Sequence, residues 1–237
     1  MQSKVNKKFG FYFQISLMIL VSVILFITLK LLKNVILTFI FYYLLFCILI
    51  PITDLIIIKK GNWGVFLALI GIKKPGSSKS IITGFSHGFI LFLILLSAYV
   101  LFADKIDGDQ IISVVHKWGI KGGNKSYLLL TVLVFNGLFE EIFWRGYCYY
   151  KLRNFVSRYQ VILLITFFYS LYHLVTVFSL FGTISLSFIM ISAIFGLGLI
   201  WGIFRHIYDN IWASLIGHTF VTIGYILVYF LIEKITA

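Results

Sequence analysis

Glu140 and Glu141 stand side by side, with Arg145 four residues on, inside the apolar run from Phe135 to Tyr147. An ionised side chain at the centre of a membrane helix costs roughly 2.5 to 3.5 kcal/mol on insertion scales, so three close together need a reason. On a helix Glu141 and Arg145 are i,i+4, on one face and in the favourable acid-first order, and so neutralise each other. Glu140 lies about 100° further round and has no partner in its own helix. It is either held by another helix or kept for chemistry.

Two more apolar stretches carry polar residues at helical spacing. In one, Thr166, Ser170, His173 and Thr176 recur at three- and four-residue steps. In the other, Asn210, Ser214, His218, Thr222 and Tyr225 do the same. Each set makes one polar stripe on an apolar helix, which belongs against a bundle interior or a wet cavity. Asn136 precedes Glu140 by one turn on the same face. A lone intramembrane histidine is as often a helix–helix hydrogen bonder as a catalytic group. His87 reads as a packing residue. His116 and His206 read as loop residues without a role.

The elements that must position these groups are set by composition. Of 237 residues 61% are hydrophobic and only 12% charged, and the mean hydropathy is +1.03. The expectation is an all-α, polytopic transmembrane bundle of about seven to eight helices with a polar intramembrane cavity. Runs of spanning length are 11–28, 35–58, 81–103, 127–150, 160–180, 184–204 and 211–232. Trp63 to Ile72 is too short to span and reads as an interfacial or re-entrant piece. The polar stretch 104–126 reads as a loop with a short amphipathic helix around Ile111 to Trp118. The whole chain is read as one integral membrane domain, with N-terminal helices over 1–103 and a core over 127–231.

The net charge of +12 does not indicate nucleic acid, because it sits in short loops between apolar runs. There it is a topology signal, and alternating the spans places the N-terminus in the cytoplasm. Lys4, Lys7, Lys8, Lys59, Lys60, Lys73, Lys74, Lys79, Lys151, Arg153, Arg158 and Arg205 fall on that side. The basic start followed by an apolar run resembles a signal peptide. No small-residue cleavage site follows, and it is read as a retained helix. Cys47 and Cys148 lie in or beside apolar segments, which argues against a disulfide framework. In the sixth span Ser192, Gly196, Gly198 and Gly202 lie at small-residue packing distance, as in a centrally placed helix. With this topology Glu140, His173 and His218 lie roughly 15, 20 and 10 Å from the cytoplasmic helix ends at 1.5 Å per residue. They share one layer.

The run Glu140-Glu141-Ile-Phe-Trp-Arg145-Gly-Tyr147 resembles the EExxxR motif of the CAAX protease and bacteriocin-processing family (CPBP or Abi), the type II CAAX prenyl endopeptidase superfamily. Tyr169 and His173 are similar to its second motif, an aromatic four residues before a histidine, where Phe is usual. Asp209 to His218 is similar to its last motif, in which an Asn follows four residues after the His; here that position is Thr222. The resemblance covers about 127–231 and implies a glutamate-dependent intramembrane endopeptidase. It implies Glu140 as general base, His173 as polariser of the same water and His218 as oxyanion donor. Glu141 and Arg145 would fix the helix, and Thr222 or Asn136 would supply a further donor. Removal from water makes any carboxylate a stronger base. Donors aimed at developing charge in a low dielectric are worth about 3 kcal/mol or more.

Other readings stay open. Glu140, His173 and His218 make a plausible zinc ligand set with a water in the fourth position, although no HExxH is present; the leading reading uses no cofactor. A non-enzymatic immunity or scaffold protein fits the missing Asn. A transporter also has polar stripes, but no paired broken helices are seen. The partners implied are the lipid bilayer and a peptide or lipidated peptide, such as a prenylated tail or a leader peptide. The composition suggests a prokaryotic membrane and leaves the oligomeric state open.

Overall fold

The computed structural model describes residues 2–58, 61–72 and 77–236. Lys59, Lys60, Lys73 and Lys74, counted above toward the charge asymmetry, lie outside the described residues, as do the side chains of Lys4 and Lys7. The described chain is helical, without strands. Its long helices are α1 (Lys8–Leu31), α2 (Val35–Ile57), α4 (Ser77–Phe102), α6 (Gly122–Leu152), α7 (Arg158–Phe181), α8 (Ile184–Tyr208) and α9 (Trp212–Thr236). All seven are long and apolar enough to cross a membrane. Two short helices, α3 (Trp63–Leu69) and α5 (Gly108–Lys117), complete the set.

Local chemistry marks the helix ends. Asp107 caps α5 by accepting from the Gln110 N–H at 2.9 Å. The Ser157 N–H donates to the Gln160 side chain at 2.9 Å, starting α7 with a capping box. Gly182, at φ +65°, ends α7 in the left-handed region that favours glycine. Large apolar side chains such as Val100, Ile184 and Phe188 stand on outer faces, as a lipid solvent permits.

α9 packs along α4 and α6, α8 packs along α7, and α1 and α5 lie against α7. The most enclosed long helix is α7, with 50% of its spanning stretch buried, against 22% for α8. The expectation of a central α8 is therefore corrected. Only one of its small-residue faces packs. A Cβ on Gly198 or Gly202 would meet Thr166 at 3.0 Å or Ile162 at 2.8 Å on α7, whereas one on Gly196 would meet nothing within 4 Å. Ser192 is exposed and bonds the Phe188 carbonyl of its own helix.

The piece read as interfacial or re-entrant is α3, and its C-terminal end is tucked into the bundle. The Leu69 carbonyl accepts from Arg205 at 3.5 Å, the Gly71 carbonyl accepts from the Ile211 N–H at 3.2 Å, and Ile70 fills the space beside Gly146. Arg205 is 1% exposed. Its Nε–H donates to the Arg145 carbonyl at 2.8 Å and it pairs with Asp209 at 2.8 Å. It is an internal clamp, not the loop cation read from the sequence. His116 and His206 likewise sit on helices, in the last turns of α5 and α8. His206 Nδ1 bonds the Tyr149 hydroxyl at 3.2 Å. Cys47 and Cys148 are free and buried.

α6 turns from α-helix to π-helix immediately after the acidic pair, over Ile142–Cys148, and all seven residues of that stretch are buried. A segment enclosed on every side cannot face lipid. This places Glu140 and Glu141 inside the protein, and π-turns of this kind often mark functional sites.

Candidate active site

α6 supplies the carboxylates. Glu140 is 1% exposed and Glu141 fully buried. Glu141 Oε1 accepts from Arg145 at 3.0 Å, the i,i+4 pair that the spacing predicts. The same oxygen lies 3.2 Å from His218 Nδ1 of α9. The Arg145 guanidinium lies 4.3 Å from the Tyr169 ring centre and 5.2 Å from that of Trp201. Its Nε and Nη2 find no hydrogen-bond acceptor among the described residues, so aromatic faces take the place of further oxygens.

Glu140 makes no ion pair among the described residues. Two phenols on other helices approach its carboxylate: Tyr172 of α7 donates to Oε2, and the Tyr43 hydroxyl of α2 lies 3.4 Å from Oε1. The Tyr43 hydroxyl also donates to Asn136 Oδ1, and Asn136 Nδ2 donates to the Tyr225 hydroxyl at 2.7 Å. Asn136, read as a spare donor, thus has one of its two amide hydrogens committed to α9.

The histidines close on the same centre. The His173 ring lies 4.1 Å from the ring of Tyr172, whose hydroxyl holds Glu140, and 4.6 Å from Tyr169. His173 Nδ1 is 2.7 Å from the Tyr169 carbonyl. A carbonyl only accepts, so Nδ1 carries the hydrogen, and in the neutral ring Nε2 holds a lone pair. His218 is 3% exposed and stacks on Trp201 at 4.6 Å. It is close enough to Glu140 and to His173 to interact electrostatically with both. Thr222, one turn beyond His218, is fully buried.

The structure therefore gathers Glu140, Glu141, Arg145, His173 and His218 around Tyr169, with Asn136 and Thr222 at the edge. The two stripes face inward as their spacing predicts, with Thr166, Ser170, Ser214 and Thr222 buried, while Tyr225 reaches the outer rim at 36% exposure. His87 is a packing residue, edge-on to Phe204 at 5.2 Å. Among the described residues no three His, Cys, Asp or Glu side chains gather as a metal site would require. Sequence reading missed Tyr43, Tyr172 and Trp201. Tyr172 adjoins His173 and is the one that a scan for hydroxyls beside the motif would find. Tyr43 and Trp201 sit in apolar runs without a local signal.

No curated protein and no solved structure matches the chain significantly. Residues 122–224 match the family model described as Type II CAAX prenyl endopeptidase Rce1-like. That match supports a membrane-embedded protease of the CAAX type. The matched segment holds Glu140, Glu141, Arg145, His173, His218 and Thr222, and it is the part of the chain that is similar to the Rce1-like family.

Proposed function

We propose that the protein is an intramembrane endopeptidase in which Glu140 activates water against a peptide bond near the cytoplasmic membrane face. The observation that carries this is Glu140 itself. It is a buried carboxylate that makes no ion pair among the described residues, while its neighbour Glu141 has two basic partners. A buried charge is normally paired, and an unpaired one within electrostatic reach of His218 is suited to taking a proton.

In the proposed reaction Glu140 takes a proton from water while the water oxygen bonds to the substrate carbonyl carbon. The lone pair on His173 Nε2 accepts the second water hydrogen and aligns the oxygen. The carbonyl electron pair moves to its oxygen, giving a tetrahedral oxyanion. Protonated His218 gives Nδ1–H to Glu141 and keeps Nε2–H for that oxyanion. Before the attack Glu140, Glu141, Arg145 and His218 sum to zero charge, and after it the oxyanion balances the proton taken up by Glu140, which a low-dielectric interior favours. Collapse breaks the C–N bond, and Glu140 returns its proton to the leaving nitrogen. The Thr222 hydroxyl is a second, shorter donor where relatives of the resembled family have Asn. The reaction as written needs no cofactor.

The substrate class is a peptide presented in extended form from the bilayer, with a prenylated CAAX-type tail favoured by the family match and a bacteriocin or leader peptide as the second candidate. The N-terminus is assigned to the cytoplasm of a prokaryotic cell on the loop charges that include Lys151, Arg153 and Arg158. The test is reconstitution of purified protein in liposomes with a prenylated CAAX peptide and an unmodified leader-peptide library. Products are read by mass spectrometry beside Glu140→Ala. Cleavage lost in the variant is expected; equal cleavage removes the assignment. Thr222 in the Asn position favours one second reading, a non-enzymatic immunity or scaffold protein. It wins if Glu140→Ala keeps the full effect in cells.

A further inference from the structure

We propose that Tyr172 and Tyr43 are positioning residues for Glu140, and that they leave Oε1 as the oxygen that takes the proton from water. The proposal rests on Glu140 being the base, as argued above. Tyr172 donates to Oε2 and holds that oxygen. Its own ring is fixed by stacking on Trp144 at 5.7 Å with 10° between planes, and by Tyr42 at 5.3 Å. Trp144 in turn donates its Nε1–H to the Tyr42 hydroxyl at 3.0 Å. The phenol is 2% exposed, so it has no room to swing away.

Tyr43 acts on the other oxygen. It has one hydroxyl hydrogen and two acceptors, Asn136 Oδ1 and, at 3.4 Å, Glu140 Oε1. Asn136 is the nearer, and it is anchored to Tyr225 of α9 through Nδ2. Asn136 therefore keeps the Tyr43 hydrogen off Oε1 while the Tyr43 oxygen packs beside it. One carboxylate oxygen is held by the Tyr172 hydroxyl and the other receives no hydrogen from Tyr43, which leaves Oε1 for the water. Tyr43 belongs to α2, outside the segment that matches the family, so the N-terminal helices complete the site and are more than a membrane anchor.

The test uses the full-length reconstituted protein with the prenylated CAAX peptide and compares wild type, Glu140→Gln, Tyr172→Phe and Tyr43→Phe. Each Tyr→Phe change keeps the ring and removes one hydroxyl. Loss of one hydrogen bond to a charged group predicts a fall in kcat of about ten- to a hundredfold for Tyr172→Phe, with a smaller fall for Tyr43→Phe. KM and the circular dichroism spectrum should stay as in wild type while kcat falls, a split that loss of packing would not give. The infrared antisymmetric stretch of the Glu140 carboxylate, isolated by difference against Glu140→Gln, should shift in Tyr172→Phe. If Tyr172→Phe fails to fold, Tyr43→Phe carries the test alone. An inactive Glu140→Gln with wild-type kcat in both tyrosine variants overturns this inference and leaves the base in place. An active Glu140→Gln overturns both.

Discussion

Arg145→Met should unfold this protein more readily than any other single change at the site. The guanidinium and the Glu141 carboxylate are both fully buried and 3.0 Å apart. Coulomb's law at an effective dielectric of 20 gives about 5.5 kcal/mol for unit charges at that distance. Removing one partner of a buried pair costs about 3 to 5 kcal/mol in practice, because the other charge is stranded. His218 at 3.2 Å offers Glu141 partial relief, while the contacts of the guanidinium with Tyr169 and Trp201 are lost outright. We therefore expect a loss of about 3 to 5 kcal/mol for Arg145→Met. The double variant Glu141→Leu, Arg145→Met should recover at least half of it, since Glu141 is then not left without its guanidinium. The assay is equilibrium unfolding in detergent with rising SDS mole fraction, followed by circular dichroism, which needs no substrate. A loss below about 1 kcal/mol for Arg145→Met, the range of a solvated surface pair, would refute the reasoning. So would a double variant no more stable than the single one.

The remaining predictions are smaller. Glu140→Ala should lower kcat by about 10²- to 10⁴-fold, the usual contribution of a positioned general base, with an unchanged circular dichroism spectrum. Gly198→Ile places its Cβ 3.0 Å from Thr166, so it should push α8 from α7 and cost about 1 to 3 kcal/mol in the same SDS titration; a neutral result would show that the helices part freely. Thr222→Asn lengthens the donor beside His218 and should raise kcat several-fold with little change in KM, whereas a lower kcat would mean that the buried position has no room for the amide.

The family match spans residues 122–224 and overlaps the 127–231 core read from the sequence, yet the candidate site is not confined to either. Hydropathy runs placed all seven long helices to within a few residues at either end, because the cost of a polar backbone in lipid acts locally and uniformly along the chain. Helical periodicity likewise gave the Glu141–Arg145 pair and the inward faces of α7 and α9, since a rise and a turn per residue fix which side chains share a face. α8 shows where this stops. Its two small-residue motifs look alike in sequence, yet one packs on α7 and the other faces away.

What the sequence determined by itself is a helical membrane bundle with an acidic pair and two imidazoles on inward faces. What only the tertiary structure decided is who answers Glu140. Tyr43 lies 97 residues away, and in an apolar helix a tyrosine reads as one more aromatic. Arg205 reads as a topology charge and becomes a clamp on the Arg145 carbonyl. The physical reason is common to both. Whether a phenol or guanidinium on one helix meets an acceptor on another depends on the rotation and depth at which the helices pack. Those are set by contacts summed over the whole bundle, and no spacing within a single helix encodes them.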